Sequence, residues 1–260
     1  MNLDNINEIA EYIVSDGKGI LAADESNPTC GKRFDSIGVE SSEENRRDYR
    51  ELLFRSDGMV GNIGGVILFD ETIRQNAADG TSMVDLISSQ GALPGIKVDK
   101  GLQQMDDSEE SLTQGLDGLD ERLKEYFALG ARFTKWRAVI NIGMGLPSSE
   151  AISANMEALA DYAKIVQNNN MVPMVEPEVL MEGDHSIDAC YEATSKCLDS
   201  LFSNLSAKGV DIKGTILKPN MVTSGSTASD RASVEEVAQR TLECLKANVP
   251  DDLPGITFLS

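Results

Sequence analysis

The chain has 260 residues, of which 41% are hydrophobic and 25% charged, the balance of an ordinary globular protein. Its 43 acidic and 23 basic residues give a net charge of −20, which argues against nucleic acid or an anionic membrane surface as a partner. The four cysteines form no Cys-x-x-Cys motif, and the single histidine excludes a multi-histidine zinc site and a catalytic histidine pair. We interpret His185 as a surface-loop residue.

Amphipathic helical patterns alternate with short apolar runs along the whole chain. Helices are predicted over 3–14, 41–55, 83–88, 116–129, 149–167, 187–206 and 233–246, and the helices at 41 and 233 begin with capping-box patterns. Strands are predicted over 19–26, 64–70, 95–101, 133–140, 171–179, 214–222 and 255–260. The polar, acidic segment 103–114 is predicted to be an exposed loop.

Continuous apolar strands that alternate with helices indicate a parallel sheet covered by helices. The sequence lacks a Gly-x-Gly-x-x-Gly motif after a strand and a Walker loop, which disfavours a nucleotide-binding sheet. Seven strand-then-helix units predict a (β/α)8 TIM barrel that lacks its eighth unit. We therefore expect residues 1–260 to form a single barrel domain, truncated at the end of its seventh strand.

Charged residues lie within or directly after these strands, where a TIM barrel carries its chemistry. One such residue could be a core ion pair, but nine of them over six strands favour a shared active site. The nine residues are Asp24, Asp70, Lys97, Asp99, Lys135, Arg137, Glu176, Glu178 and Lys218.

A lysine that ends an apolar strand, as Lys218 does, either pairs with a carboxylate or acts as an amine nucleophile. A nearby ammonium such as Lys135 would disfavour protonation of Lys218, as would partial burial. Glu176 or Glu178 could supply the acid and base for forming an imine, and Asp24 could take a proton from a hydroxyl. The remaining cations and hydroxyls suit phosphate groups, and they are Lys97, Arg137, Ser26 and Ser260.

Eight segments spanning nearly the whole sequence carry a resemblance to a known family. They are GKGILAADES (17–26), EENRR (43–47), GIKVDKG (95–101), TQGLDGL (113–119), KWR (135–137), VEPE (175–178), LKPNMV (217–222) and GITFLS (255–260). Taken together and in this order, they resemble the class I fructose-bisphosphate aldolases. The resemblance implies a TIM barrel, usually a homotetramer, that reversibly cleaves fructose 1,6-bisphosphate to dihydroxyacetone phosphate and glyceraldehyde 3-phosphate. It implies no metal and no other cofactor.

The resemblance also implies roles for individual residues. Lys218 matches the imine-forming lysine and Glu176 the acid and base that handles the carbinolamine. Asp24 matches the acid that works at the C4 hydroxyl, Lys135 assists it, and Glu178 matches a supporting carboxylate. The implied contacts to the substrate and its phosphates are Lys97, Arg137, Ser26, Thr29 and Ser260.

The family continues past the equivalent of position 260 with an eighth strand and a C-terminal arm. A barrel that ended at its seventh strand would have two unpaired edges, so we expect the sequence to be C-terminally incomplete. The N-terminus lacks the pattern of a signal or transit peptide and no segment has the length of a transmembrane helix, so we expect a cytoplasmic protein. A plastid location would require a transit peptide ahead of this sequence.

Two other functions stay open at this stage. A sedoheptulose-bisphosphate aldolase, or another imine-forming aldolase, would use the same residues because its substrate presents the same reacting end. An inactive fragment could instead serve as a binding scaffold for other proteins. A dead site is expected to have lost Lys218, Glu176 or Asp24, and the sequence retains all three.

Overall fold

The computed structural model describes residue 3 and residues 5–106 and 108–258. The strands in this part of the chain are β1 Gly19–Ala23, β2 Ile63–Leu68, β3 Leu93–Lys97, β4 Leu102–Gln104, β5 Ser111–Thr113, β6 Phe133–Ile140, β7 Val172–Val179 and β8 Ile216–Leu217. Six of them pair in parallel in the order β1-β2-β3-β6-β7-β8, and β4 and β5 form a separate antiparallel pair. The parallel sheet predicted from the sequence is thus confirmed.

Helices connect and cover these strands. They are α1 Ile6–Ile13, α2 Asn27–Asp35, α3 Glu43–Phe54, α4 Asp70–Ile73, α5 Met83–Ser89, α6 Leu119–Leu129, α7 Ser149–Asn168, α8 Ile187–Ala207 and α9 Val234–Asn248, with short 3-10 turns at Asp57–Met59 and Ile212–Gly214. None of the helices in the described residues is long and apolar enough to cross a membrane.

Several of these helices have a serine as their N-cap. Ser233 accepts a hydrogen bond from the backbone N–H of Glu236, as the capping-box pattern predicts. At α3 the cap is Ser42, which accepts from Asn45 N, so the helix begins one residue later than the pattern at Ser41 predicts.

Four predictions about secondary structure are wrong. The segment 103–114, which was expected to be a loop, contains most of β4 and all of β5. No helix was predicted where the structure has α2. The sixth strand shrinks from 214–222 to β8, because a 3-10 turn ends at Gly214 and Pro219 has no N–H to continue the ladder. Of the expected seventh strand at 255–260, the described part shows a single bridge between Leu217 and Ile256, and residues 259 and 260 lie outside the described residues.

The first helix covers the N-terminal end of the sheet. Ile9, Ala10 and Ile13 of α1 form an apolar cluster with residues near the starts of the strands, such as Phe133 and Val172. A larger cluster lies between the sheet and the surrounding helices. Because α1 closes the N-terminal end, the C-terminal ends of the strands are the open end at which polar residues can meet a ligand.

His185 is buried, which corrects the prediction of a surface residue. It lies in the loop before α8 and is 8% exposed, and Gly225 N donates to its carbonyl. Burial lowers the pKa of its imidazole because the charged form loses its hydration. The loop that carries His185 is therefore folded against the body of the protein.

A glycine-to-alanine change at Gly95 tests the packing of the sheet. A Cβ at this position would lie 2.3 Å from Cζ of Phe133, whose ring is fully buried and has no room to move away. We expect Gly95→Ala to lower the free energy of unfolding by about 1–3 kcal/mol, measured by urea denaturation. Gly143→Ala is the control, because its Cβ would meet nothing within 4 Å. Equal stability of the two variants would contradict this packing.

Candidate active site

The parallel strands bring the predicted site residues to one end of the sheet. Asp24 directly follows β1, and Lys218 directly follows β8. Lys135 lies in β6, where its neighbour in register on β3 is Lys97. Glu176 lies in the adjacent β7, beside Arg137 of β6. Side chains from five separate parts of the sequence thus lie at the same end of one parallel sheet, and those of β3, β6, β7 and β8 come from strands that are adjacent in it.

Four of these side chains form a continuous row of alternating charge, which we call the charge row: Asp24, Lys135, Glu176 and Lys218. Lys135 Nζ lies 2.8 Å from Asp24 Oδ2 and 3.5 Å from Glu176 Oε2. Lys218 Nζ donates to the other oxygen of Glu176, Oε1, at 2.6 Å. The carboxylate of Glu176 therefore bridges the two lysines.

Burial makes the charge row interdependent. The side chain of Glu176 is 2% exposed and that of Lys135 is 7% exposed, whereas that of Lys218 is 16% exposed. Burial alone would lower the pKa of Lys135, but Asp24, Glu176 and Asp99 outweigh it and raise the pKa above its ordinary value. Lys135 is thus a permanent ammonium that can stabilise and donate, which leaves Lys218 as the candidate nucleophile.

Two further ion pairs lie beside the charge row. Lys97 Nζ lies 2.6 Å from Asp99 Oδ1, and Arg137 Nε contacts Glu178 Oε2. The side chains of Lys97 and Arg137 are partly exposed, at 22% and 40%. A phosphate group could therefore reach both cations from solvent.

The loop after β1 brings hydroxyl groups to the same cleft. Ser26 Oγ and Thr29 Oγ1 lie 3.0 Å apart at the start of α2. Ser26 and Lys97 line one cavity of about 620 Å³, together with Asp99 and Lys100. Both cations and carboxylates line the cavity, so an anionic ligand would be held by its basic side chains, the Ser26 hydroxyl and the N-terminus of α2.

Not every predicted residue joins the charge row. Asp70 begins α4 and instead pairs with Arg74, and Tyr126 OH donates to it at 2.8 Å. Ser260 lies outside the described residues, so its predicted phosphate contact stays a prediction. In the part of the chain that the structure describes, no group of three or more His, Cys, Asp or Glu residues is arranged to hold a metal ion.

Sequence reasoning missed one residue that contacts the site loop. Arg50 of α3 is fully buried and donates to backbone carbonyls on either side of Asp24. A signal for it was available: Arg46, Arg50 and Phe54 recur every four residues, so two arginines lie on the same helix face as a buried aromatic residue.

Removing the ammonium of Lys135 tests the electrostatics of the charge row. Lys135→Met leaves the carboxylates of Asp24 and Glu176 without their shared cation, so we expect the free energy of unfolding to fall by about 3–5 kcal/mol. Lys124→Met is the control, because that lysine is 65% exposed and pairs with Asp120 on the surface. Its expected effect is much smaller, because water screens an exposed ion pair. Equal losses in urea denaturation would contradict the account.

Comparisons with known proteins identify the family. The family model for class I fructose-bisphosphate aldolase matches residues 5–260. A probable class 1 fructose-bisphosphate aldolase of Xanthomonas campestris is 53% identical over 261 residues, which cover 100% of this chain and 78% of that protein. The cytosolic fructose-bisphosphate aldolase 6 of Arabidopsis thaliana is 50% identical over 252 residues, which cover 96% of this chain and 70% of that protein.

A solved structure agrees with these sequence matches. The fructose-bisphosphate aldolase of Plasmodium falciparum, determined in complex with TRAP and a small-molecule inhibitor, superposes with a TM-score of 0.96 and 47% identity. The superposition covers 98% of this chain and 74% of that one. It confirms the TIM-barrel type of fold predicted from the sequence. The chain therefore belongs to the class I fructose-bisphosphate aldolases, which are lyases of glycolysis.

Proposed function

We propose that this protein reversibly cleaves fructose 1,6-bisphosphate to dihydroxyacetone phosphate and glyceraldehyde 3-phosphate through an imine on Lys218. The observation that carries the proposal is the 2.6 Å contact between Lys218 Nζ and the buried carboxylate of Glu176. It pairs the candidate nucleophile with a base that can take its proton. Membership of the family supports the choice of substrate.

Imine formation uses Glu176 and Lys218 of the charge row. Glu176 takes a proton from Lys218, and the free amine attacks the C2 carbonyl of the open-chain sugar. Proton transfer from nitrogen to oxygen gives the carbinolamine. Glu176 then returns its proton to the carbinolamine hydroxyl, which leaves as water, and the nitrogen lone pair forms the protonated imine. Lys135, held 3.5 Å from the second oxygen of Glu176, stabilises that carboxylate whenever it is ionised.

Carbon–carbon cleavage uses Asp24 and Lys135 of the charge row. Asp24 takes the proton of the C4 hydroxyl, the C3–C4 bond breaks, and its electron pair moves into the imine to give an enamine. Glyceraldehyde 3-phosphate leaves at this point. Protonation of the enamine at C3 and hydrolysis of the imine then release dihydroxyacetone phosphate. The ammonium of Lys135, 2.8 Å from Asp24, stabilises the carboxylate in the form that accepts the proton.

The remaining predicted residues are proposed to bind the two phosphates. Lys97, Ser26 and Thr29 line or border the cavity beside the charge row, and the first turn of α2 adds its helix dipole. Arg137 supplies a further cation, which Glu178 orients through their ion pair. Ser260 is proposed as a contact to the C1 phosphate on the resemblance alone.

Assembly and location are also proposals. The resemblance supports a homotetramer and a single barrel domain. The name of the cytosolic relative in Arabidopsis thaliana supports a cytoplasmic location for this protein.

Borohydride reduction in the presence of dihydroxyacetone phosphate tests the mechanism. We expect one covalent adduct, which peptide mapping by mass spectrometry places on Lys218. Lys218→Arg should abolish both the adduct and cleavage, because a guanidinium does not lose its proton to become a nucleophile. Lys213→Arg, a change at an exposed lysine five residues earlier, should leave both unchanged.

Three outcomes would count against the proposal. An adduct on another lysine, or none, would rule out Lys218 as the nucleophile. Loss of activity in EDTA would contradict the metal-free mechanism. A higher kcat/KM for sedoheptulose 1,7-bisphosphate than for fructose 1,6-bisphosphate would favour the alternative substrate.

A further inference from the structure

We propose that Arg50 is a positioning residue that holds Asp24 in the geometry needed for carbon–carbon cleavage, an inference that rests on the proposed function. Arg50 lies on the inner face of α3, behind the loop that follows β1. Its side chain is fully buried, yet it carries a charge that must be compensated there. Its bonding partners indicate why an arginine occupies this position.

The guanidinium of Arg50 binds the backbone on both sides of Asp24. Nε donates to the carbonyl of Ala23 at 3.1 Å, and Nη2 donates to the carbonyl of Glu25 at 2.6 Å. The guanidinium is planar and its donors have a fixed geometry. The two carbonyls are therefore fixed relative to one another, which holds the Ala23–Asp24 and Glu25–Ser26 peptide units and so limits the freedom of Asp24 between them.

This constraint acts where the chain leaves the sheet. Ala23 is the last residue of β1 and pairs in register with Leu68, whereas α2 begins at Asn27. Asp24 therefore lies in a short connection between two regular elements. Its Oδ2 must nevertheless lie 2.8 Å from Lys135 Nζ to belong to the charge row. Arg50 supplies a rigid attachment at a point where the ladder of the sheet has ended.

Two glutamates lie beside the guanidinium of Arg50, and a second arginine binds one of them. Its guanidinium lies 3.8 Å from Glu25 Oε2 and 3.9 Å from Glu71 Oε1. Arg46, one turn earlier on α3, binds Glu71 through two hydrogen bonds of 2.8 and 2.6 Å, and this pairing is the main cause that lowers the pKa of Glu71. Glu71 therefore stays ionised and fixed, and it links α4 to the same face of α3.

The proposal predicts that the two halves of the reaction separate when Arg50 is changed. Imine formation requires Glu176, which lies on β7, and Lys218, which lies just after β8; they contact each other and make no direct contact with Asp24. Cleavage requires Asp24, which lies in the loop after β1. A displacement of about 1 Å at a reacting group can cost on the order of 10²-fold in rate. Loss of the two carbonyl contacts should therefore slow cleavage and leave imine formation intact.

The test uses Arg50→Lys, which keeps the charge and removes the planar fork. We expect kcat for fructose 1,6-bisphosphate cleavage to fall by about 10²-fold, with KM within about threefold of wild type. Borohydride trapping of dihydroxyacetone phosphate on Lys218 should stay within about twofold of the wild-type rate, because Asp24 takes no part in forming the imine. Arg47→Lys is the matched control, because Arg47 lies on the same helix but pairs with Glu44 and Asp48 and not with the loop after β1. It should leave both rates close to those of the wild type.

A double-mutant cycle with Asp24→Asn shows whether Arg50 acts through Asp24. If it does, adding Arg50→Lys to Asp24→Asn should change kcat by less than about threefold, because the group it positions is already lost. Independent, multiplying effects would overturn the proposal, as would a parallel fall of trapping and cleavage in Arg50→Lys. If Arg50→Lys does not fold, Arg50→Gln takes its place, and failure of both to fold would assign Arg50 to folding alone. Absence of trapping in the wild-type protein would contradict the proposed function instead.

Discussion

The buried carboxylate of Glu176 is the interaction on which the site depends. It is 2% exposed, and a buried carboxylate needs compensating cations, which Lys135 and Lys218 supply at its two oxygens. The two lysines are not equivalent. Lys135 serves two carboxylates, whereas Lys218 contacts one and is more exposed. Moving the Lys135 proton to Glu176 would leave Asp24 without its cation, whereas moving the Lys218 proton to Glu176 leaves the ion pair of Lys135 and Asp24 intact. This difference supports the proposal that Lys218, and not Lys135, is the nucleophile.

The fold directs polar residues to one end of the sheet. Ile13 of α1 packs so closely on the start of β2 that a Cβ at Gly64 would lie 2.2 Å from its carbonyl oxygen. With that end closed by apolar contacts, the charged residues lie along and beyond the strands toward the other end. Behind the site, Arg50 and its acidic partners extend the same principle to the loop after β1, where buried charges are compensated in pairs.

Much of this arrangement could be predicted from the sequence. Strand β6 was predicted with its observed bounds, because five of its eight residues are β-branched or aromatic. The convergence of Asp24, Lys135, Glu176 and Lys218 followed from placing each at a strand of a parallel barrel. Their pairing could not be predicted, because it depends on side-chain positions across the sheet. The sequence argument treated Lys135 as a cation repelling Lys218, and the structure instead places a carboxylate in contact with both.

The errors have similar physical causes. The pair β4 and β5 lies in a polar segment with no strand pattern, and it is held from outside: Asn155 of α7 donates to the carbonyl of Ser111, and Thr113 Oγ1 donates to the carbonyl of Arg137. Arg50 was not predicted as a site residue because it donates to backbone carbonyls. Every residue type has such a carbonyl, so the identity of the acceptors does not reveal the contact.

The rate of imine formation on Lys218, measured by rapid mixing with dihydroxyacetone phosphate and quenching with borohydride, tests the central claim most directly. Glu176→Gln and Asp24→Asn are the two proteins to compare, since each replaces one carboxylate of the charge row by its amide. The account predicts that Glu176→Gln slows imine formation by about 10²–10⁴-fold, whereas Asp24→Asn forms the imine at close to the wild-type rate but cleaves the bisphosphate about 10²–10⁴-fold more slowly. Equal effects of the two changes on imine formation, or a larger effect of Asp24→Asn, would contradict it.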